Sequence, residues 1–231
     1  MILKNGNNFG NKKEKVIEPD ITEEEEKEVL EEKTHSMHAL ISEDPDTRIV
    51  GLYGGIDEEK ASGIISMLYH LQEQGKLYIP VDPEKPNENI EIKYEPIQFV
   101  ISTEGGHVHD MFAVYDVIRD ISKNYEISTF GIGKVMSAGL LLLASGTPGK
   151  RFAGRNCRFM LHEISSGNFG QLADLKNNLK ETKWYQSRYI SELCSRTKFT
   201  RKKILRIFNK KTDYFFDAEQ ALEFGLIDEI V

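Results

Sequence analysis

The sequence predicts an α/β domain over residues 48–231, preceded by an acidic N-terminal extension over 1–47. Two observations carry this. Short apolar stretches alternate with helical patterns of similar length through 48–163, and such alternation implies parallel strands joined by crossovers, with helices covering the sheet. The chain also has 231 residues, 39% of them hydrophobic, which is enough to bury one sizeable core.

Residues 1–21 are rich in Asn, Gly and Lys and poor in large apolar groups, which predicts a mobile segment. "TEEEEKEVLEEKTHSMHALI" (22–41) is a charge run with Thr22 and Glu25 in capping-box spacing, the signature of a solvated helix. At Arg48 the character changes. "RIVGLYG" is a short apolar strand, and "DEEKASGIISMLYHLQEQG" is a helix with Ile64, Ile65, Leu68 and Leu71 at helical spacing and Gly75 as its stop. "KLYIPVDPEKPNENIEIKYEP" holds two alternating stretches around a Pro/Asn/Glu loop, a hairpin or a long excursion.

"IQFVIST" is a buried strand, and "GGHVHDMFAVYDVIRDIS" is a helix carrying Met111, Val114, Tyr115 and Ile118 on one side. "EISTFGIG" is a strand, "SAGLLLLASG" a buried helix, and "RFAGRNCRFMLHE" one further strand. Residues 170–197 form one long helical pattern, which at about 1.5 Å per residue can reach well beyond a compact core. "RTKFTRKKILRIFNKK" (196–211) reads as an amphipathic helix with Phe199, Ile204, Leu205, Ile207 and Phe208 apolar and a basic face in solvent.

Composition narrows the function classes. A formal net charge of −7 argues against nucleic acid as the main partner, since phosphate binding needs clustered Lys and Arg. No segment reaches the about 18 uninterrupted apolar residues of a membrane span, and the N-terminus lacks the apolar run of a secretion signal. Two cysteines, Cys157 and Cys194, stand in no metal-ligand spacing. The expected setting is the cytoplasm, with no cofactor, no metal, no nucleic acid and no membrane.

Three features converge on a possible site. The pair Gly105–Gly106 lies between a strand end and a helix start, where glycine lets backbone N–H groups approach a ligand oxygen in the favourable field of the helix. Ser137 precedes the apolar helix. It is either a helix cap or a nucleophile, and the G-x-S-x-G elbow of the α/β-hydrolases is absent, since position 135 is Val. His162 ends a buried strand, the kind of place where sites collect in parallel sheets, and beside a serine it becomes a candidate general base. An orienting carboxylate would complete the set; Asp213 is the best choice, with Asp174 and Asp228 as alternatives. His107 and His109 are two apart on an expected helix and point about 200° from each other, so they do not share a metal; His35 and His38 lack a third ligand.

These residues carry a family likeness. "GKVMSAGLLLLASGTPGKRFAGRNCRFMLHE", preceded by "VISTEGGHVHDMFAVYDVIRDI" and followed by "DYFFDAEQALEFGLIDEIV", resembles the proteolytic subunit of Clp protease (the ClpP family) from about Arg48 to Val231, including the 25-residue step from Ser137 to His162. The resemblance implies the ClpP/crotonase superfold, a repeated β-β-α/βα superhelical core, with 170–197 as its protruding handle helix. It implies Ser137 as nucleophile, His162 as base, Asp213 as orienting acid, and the N–H groups of Gly106 and Ala138 as an oxyanion hole. A strand after His162, with Gly167 and Gly170, would be the ring-to-ring segment. The partners implied are further copies in heptameric rings stacked in pairs, a Clp ATPase unfoldase, and a peptide or unfolded protein substrate.

The chain departs from the family pattern at Ile164, where a proline is usual, and at Thr212, where an arginine is common. It departs again in the longer 77–98 segment and in residues 1–47. Two other readings stand beside the peptidase: a crotonase-like acyl-CoA enzyme, and a non-cleaving structural subunit of a mixed ring.

Overall fold

The computed structural model describes residues 47–81, 89–167 and 169–231. The expected capped helix of the N-terminal extension, the His35/His38 pair and the middle of the 77–98 segment lie outside them. Residues 48–231 form one compact unit. Its elements are β1 (Ile49–Ile56), α1 (Glu58–Gln74), β2 (Lys76–Pro80), β3 (Ile90–Tyr94), β4 (Ile97–Gly106), α2 (Val108–Ile121), β5 (Ile127–Met136), α3 (Gly139–Ala144), β6 (Arg151–Ala153), β7 (Arg158–Leu161), α4 (Leu172–Arg196), α5 (Arg201–Phe208), β8 (Tyr214–Phe216), α6 (Ala218–Glu223) and β9 (Glu229–Ile230).

The main sheet runs β1-β4-β5-β6-β9, with β7 beside β5 and β8 beside β7. Every pairing in it is parallel except β7–β8. The mostly parallel α/β architecture follows from the alternation read in the sequence. Strands β1 and β4 are each followed by an amphipathic helix whose apolar stripe packs back on the sheet. In α1 the Asp57 side chain caps the Lys60 N–H at 2.9 Å, and Ala61, Ile64, Leu68 and Leu71 are buried, with Ile65 only half-buried. In α2 the expected Met111, Val114, Tyr115 and Ile118 are buried, joined by Ile121. All six residues of α3 are buried, so the leucine run forms the middle of the core.

Three boundaries differ from expectation. The stretch 151–163 forms two strands, not one. Along β5, Ile132, Gly133 and Lys134 all face solvent and break the alternation, and the neighbour changes there from β6, opposite Thr129–Gly131, to β7, opposite Lys134–Met136. A turn closed by the Cys157 N–H on the Gly154 carbonyl (2.9 Å) steps the chain across. No strand follows His162: residues 163–167 have no regular structure and pair with no strand among the described residues. The amphipathic basic helix is shorter than its pattern. Thr200 caps it through the Lys203 N–H (3.2 Å), Ile204, Ile207 and Phe208 are buried, and Leu205 is exposed.

Two side chains tie distant segments. Arg151, almost fully buried, forks onto Asp228 (Nε–Oδ2 2.8 Å, Nη2–Oδ1 2.5 Å) and also donates to the carbonyls of Arg196 (2.7 Å) and Gly225 (2.9 Å). This joins β6, the end of α4 and the β9 approach. Arg48 donates to the carbonyls of Leu71 (2.7 Å) and Pro96 (3.1 Å), fixing the end of α1 to the start of β4. The long pattern at 170–197 is a helix of 25 residues from Leu172 to Arg196, mostly exposed in its first half and buried only at Tyr189, Ile190 and Leu193. Among the described residues no helix is long and apolar enough to cross a membrane.

Candidate active site

The strand order brings the candidate residues together. β4 and β7 are both neighbours of β5, so the ends of all three meet. The pairing of Met136 with Met160 continues in a bond from the Ser137 N–H to the Met160 carbonyl (2.8 Å), which sets the residue after β5 beside the end of β7. His162 follows that end, and its Nε2 lies 2.7 Å from Ser137 Oγ. With the other ring nitrogen protonated, the serine hydroxyl donates to Nε2. β8 lies antiparallel on β7 with Tyr214 opposite Leu161, which puts Asp213 next to His162; Asp213 Oδ1 is 3.7 Å from Nδ1. That is ion-pair range and longer than a hydrogen bond. The imidazole is about a third exposed and the carboxylate about half.

Of the two other carboxylates considered, Asp228 is engaged by Arg151 and by the Gly149 and Arg151 N–H groups, and Asp174 lies in the first turn of α4. The geometry therefore separates three acids that spacing alone left open.

Ser137 is not a helix cap. Its backbone sits at φ +53, a left-handed conformation rare for a residue with a Cβ, and its hydroxyl faces the imidazole instead of the helix. The helix start falls on Ala138, which makes no side-chain capping bond. So the local strain that the G-x-S-x-G pattern usually carries occurs here in a sequence without that pattern. The Ala138 amide donates to no backbone carbonyl among the described residues.

Both glycines of the 105–106 pair are demanded by close approach. A Cβ on Gly105, where φ is +97, would lie 2.7 Å from the Ser137 Cβ and 3.0 Å from the Met136 carbonyl oxygen. A Cβ on Gly106 would lie 2.1 Å from the Ile56 carbonyl oxygen. Gly106 thus has a packing reason to be glycine, from its pairing with β1, as well as its place at the site.

Sequence reasoning missed three contributors. Thr103, fully buried, donates to the Gly54 carbonyl (2.5 Å) and accepts from the Gly105 N–H (2.9 Å), holding the glycine turn. Tyr189 on α4 donates to the Ser137 carbonyl at 2.9 Å, and burial pushes its phenol well above the usual tyrosine range. Lys211, at φ +55, pairs with Glu163 at 2.5 Å, and Gln186 donates to the same carboxylate at 3.2 Å. The Lys211 ammonium, then Gln186, hold the Glu163 carboxyl below its ordinary range. The partners of Tyr189 and Lys211 and the Gly54 carbonyl are remote in sequence and no local pattern marks them; only the bond from the Gly105 N–H to Thr103, two residues apart, is local.

The serine and histidine open on a cleft of about 690 Å³ lined by residues including Val108, Met111, Ile164, Thr182 and Tyr185. It runs between the start of α2 and the exposed half of α4. His107 faces Asp110 (Nδ1–Oδ2 3.2 Å) while His109 packs edge-on against Tyr185. Among the described residues no group of three or more His, Cys, Asp or Glu side chains could hold a metal ion. An imidazole on a hydroxyl with a carboxylate behind it forms a chemistry suited to acyl transfer.

Residues 88–231, well over half of the chain, match the family model for Clp protease. The chain belongs to the Clp protease family, whose members are serine peptidases of the ClpP type.

Proposed function

We propose that the chain is a serine endopeptidase that cleaves peptides and unfolded proteins through an acyl-enzyme intermediate. The observation that carries the reading is the 2.7 Å approach of His162 Nε2 to the hydroxyl of a strained serine at the mouth of the cleft. In the first half-reaction Ser137 Oγ attacks the scissile carbonyl carbon while Nε2 takes its proton. The oxyanion of the tetrahedral intermediate faces the N–H groups of Gly106 and Ala138, each such donor lowering the barrier by about 2.7–4 kcal/mol. Collapse breaks the C–N bond, and the leaving amine takes the proton from Nε2. Water then repeats the cycle on the ester, returning the proton to Ser137. Asp213 orients the ring and stabilises its cationic form, moving the few tenths of an ångström that turn 3.7 Å into a hydrogen bond.

The same reading takes residues 48–231 as the peptidase domain, residues 1–47 as an appended segment and α4 as the handle helix. Like other members of its family, the chain would assemble with further copies into stacked heptameric rings in the cytoplasm and receive substrate from a Clp ATPase. The test is Ser137→Ala. The variant keeps the wild-type unfolding midpoint, loses cleavage of a fluorogenic peptide and takes no fluorophosphonate label. Undiminished labelling rejects the assignment, as does thioester turnover without peptide turnover. A wild-type chain inert to both probe and peptide, yet able to join an active paralogue in a ring, supports the non-cleaving subunit instead.

A further inference from the structure

The ribbon of β2 and β3 is a two-stranded antiparallel sheet that pairs with no other strand among the described residues. It carries large apolar side chains in solvent, among them Tyr78 (63% exposed), Ile90 (53%) and Ile92 (43%). A ribbon of two strands is marginal in water unless something covers or extends it. Its anchor is at the base, where Tyr94 packs on Tyr125 with ring centroids 4.8 Å apart.

The register reveals which edge is open. Val81 donates to the Asn89 carbonyl and Glu95 to the Gly75 carbonyl, and between these bonds Ile79 lies opposite Glu91 and Leu77 opposite Lys93. Bonded and non-bonded pairs alternate in an antiparallel ladder, so the N–H and C=O groups of Ile90, Ile92 and Tyr94 point away from β2. On the opposite edge Pro80 removes a donor, the usual device that blunts an edge strand. β3 has no proline.

We propose that β3 pairs antiparallel with β3 of a second copy of this chain, about a two-fold axis at Ile92, to make a continuous four-stranded sheet. In this register Ile92 meets its own counterpart and Ile90 meets Tyr94 of the other copy, all through outward main-chain groups and all on one apolar face. On the other face Glu91 meets Lys93 and Lys93 meets Glu91. Charge selects this register. A slip of one residue sets Glu91 against an apolar side chain, and a slip of two, which moves the two-fold axis by one residue, sets Glu91 against Glu91 in one direction and Lys93 against Lys93 in the other; like charges directly opposed are destabilising. The strand is thus complementary to itself at every cross-copy position, as an isologous interface requires. The inference is independent of the peptidase reading, because the ribbon lies at the end of β4 opposite Gly105 and Gly106.

The experiment uses Ile92→Cys in the full chain, with Leu77→Cys as the position control, and reads covalent dimer on a non-reducing gel after mild oxidation. Directly opposed, hydrogen-bonded residues have Cα atoms about 5.5 Å apart, within disulfide reach. We expect a dimer for Ile92→Cys and none for Leu77→Cys. Adding Glu91→Lys or Lys93→Glu alone should lower its yield about tenfold, since each single change creates two repulsive pairs. The double exchange should restore it. Equal cross-linking at Leu77, or a yield indifferent to the charge changes, overturns the pairing. So does the absence of a dimer, whether or not the ribbon then binds phosphatidylcholine vesicles or another protein.

Discussion

Replacing Gly105 with alanine tests how tightly the glycine turn holds Ser137. The new Cβ would meet the Ser137 Cβ at 2.7 Å and the Met136 carbonyl oxygen at 3.0 Å, in a backbone at φ +97. The backbone alone costs about 1–3 kcal/mol for a residue with a Cβ, and relieving the overlap adds about 1–3 kcal/mol. Gly149→Ala separates the two. It has φ +85 with nothing within 4 Å of the added methyl, so it carries the backbone cost without the collision. Moving the serine by several tenths of an ångström should also slow acylation by about one to two orders of magnitude. Urea unfolding and the fluorophosphonate labelling rate read the two effects. We expect Gly105→Ala to be the less stable by at least about 1 kcal/mol and slow to label, and Gly149→Ala to label at the wild-type rate. Equal stability of the two variants together with normal labelling of Gly105→Ala would refute the reasoning.

Tyr189→Phe removes the donor to the Ser137 carbonyl, which keeps a second bond from the Leu140 N–H at 3.1 Å. The loss should be about 0.5–1.5 kcal/mol in unfolding, with slower labelling at unchanged peptide binding. Lys211→Met and Glu163→Gln break the tie between the segment after His162 and the segment before Asp213. The pair is well exposed, so stability should change by less than about 1 kcal/mol, while the pH profile of labelling shifts; a profile identical to wild type would show that the tie does not position the imidazole. Asp228→Asn leaves the buried Arg151 without its counter-charge and should cost about 3–5 kcal/mol. For Asp228 burial raises the pKa, but hydrogen bonding and charge from Arg151 outweigh it and hold the carboxyl below its ordinary range. A depressed carboxyl contributes stability above its unfolded pKa of about 3.9 and loses it as pH falls through the folded value, so the wild-type chain should lose stability on acidification below about pH 4 and the Asn variant should lose less.

The amino-acid sequence determined the elements and the chemistry on offer. Periods of 3.6 in 58–74 and 108–121 and short apolar runs between them fix which segments are helices and which are strands, because those periods decide which face can be buried. Ser137 and His162 were likewise legible as candidates, the first a polar residue just before an apolar helix and the second at the end of an apolar strand. What tertiary structure decided is proximity. Asp213 stands by the imidazole only because β8 lies antiparallel on β7, and Asp228 is removed from consideration only because Arg151 reaches it from β6. The split of 151–163 into two strands follows from a change of neighbour along β5, not from anything in those thirteen residues. The left-handed turn at Ser137 and the hydroxyls of Thr103 and Tyr189 belong with them. Local pattern reports which side of an element meets water; which other element it meets depends on pairings between residues tens of positions apart, and those are set only when the whole sheet is assembled.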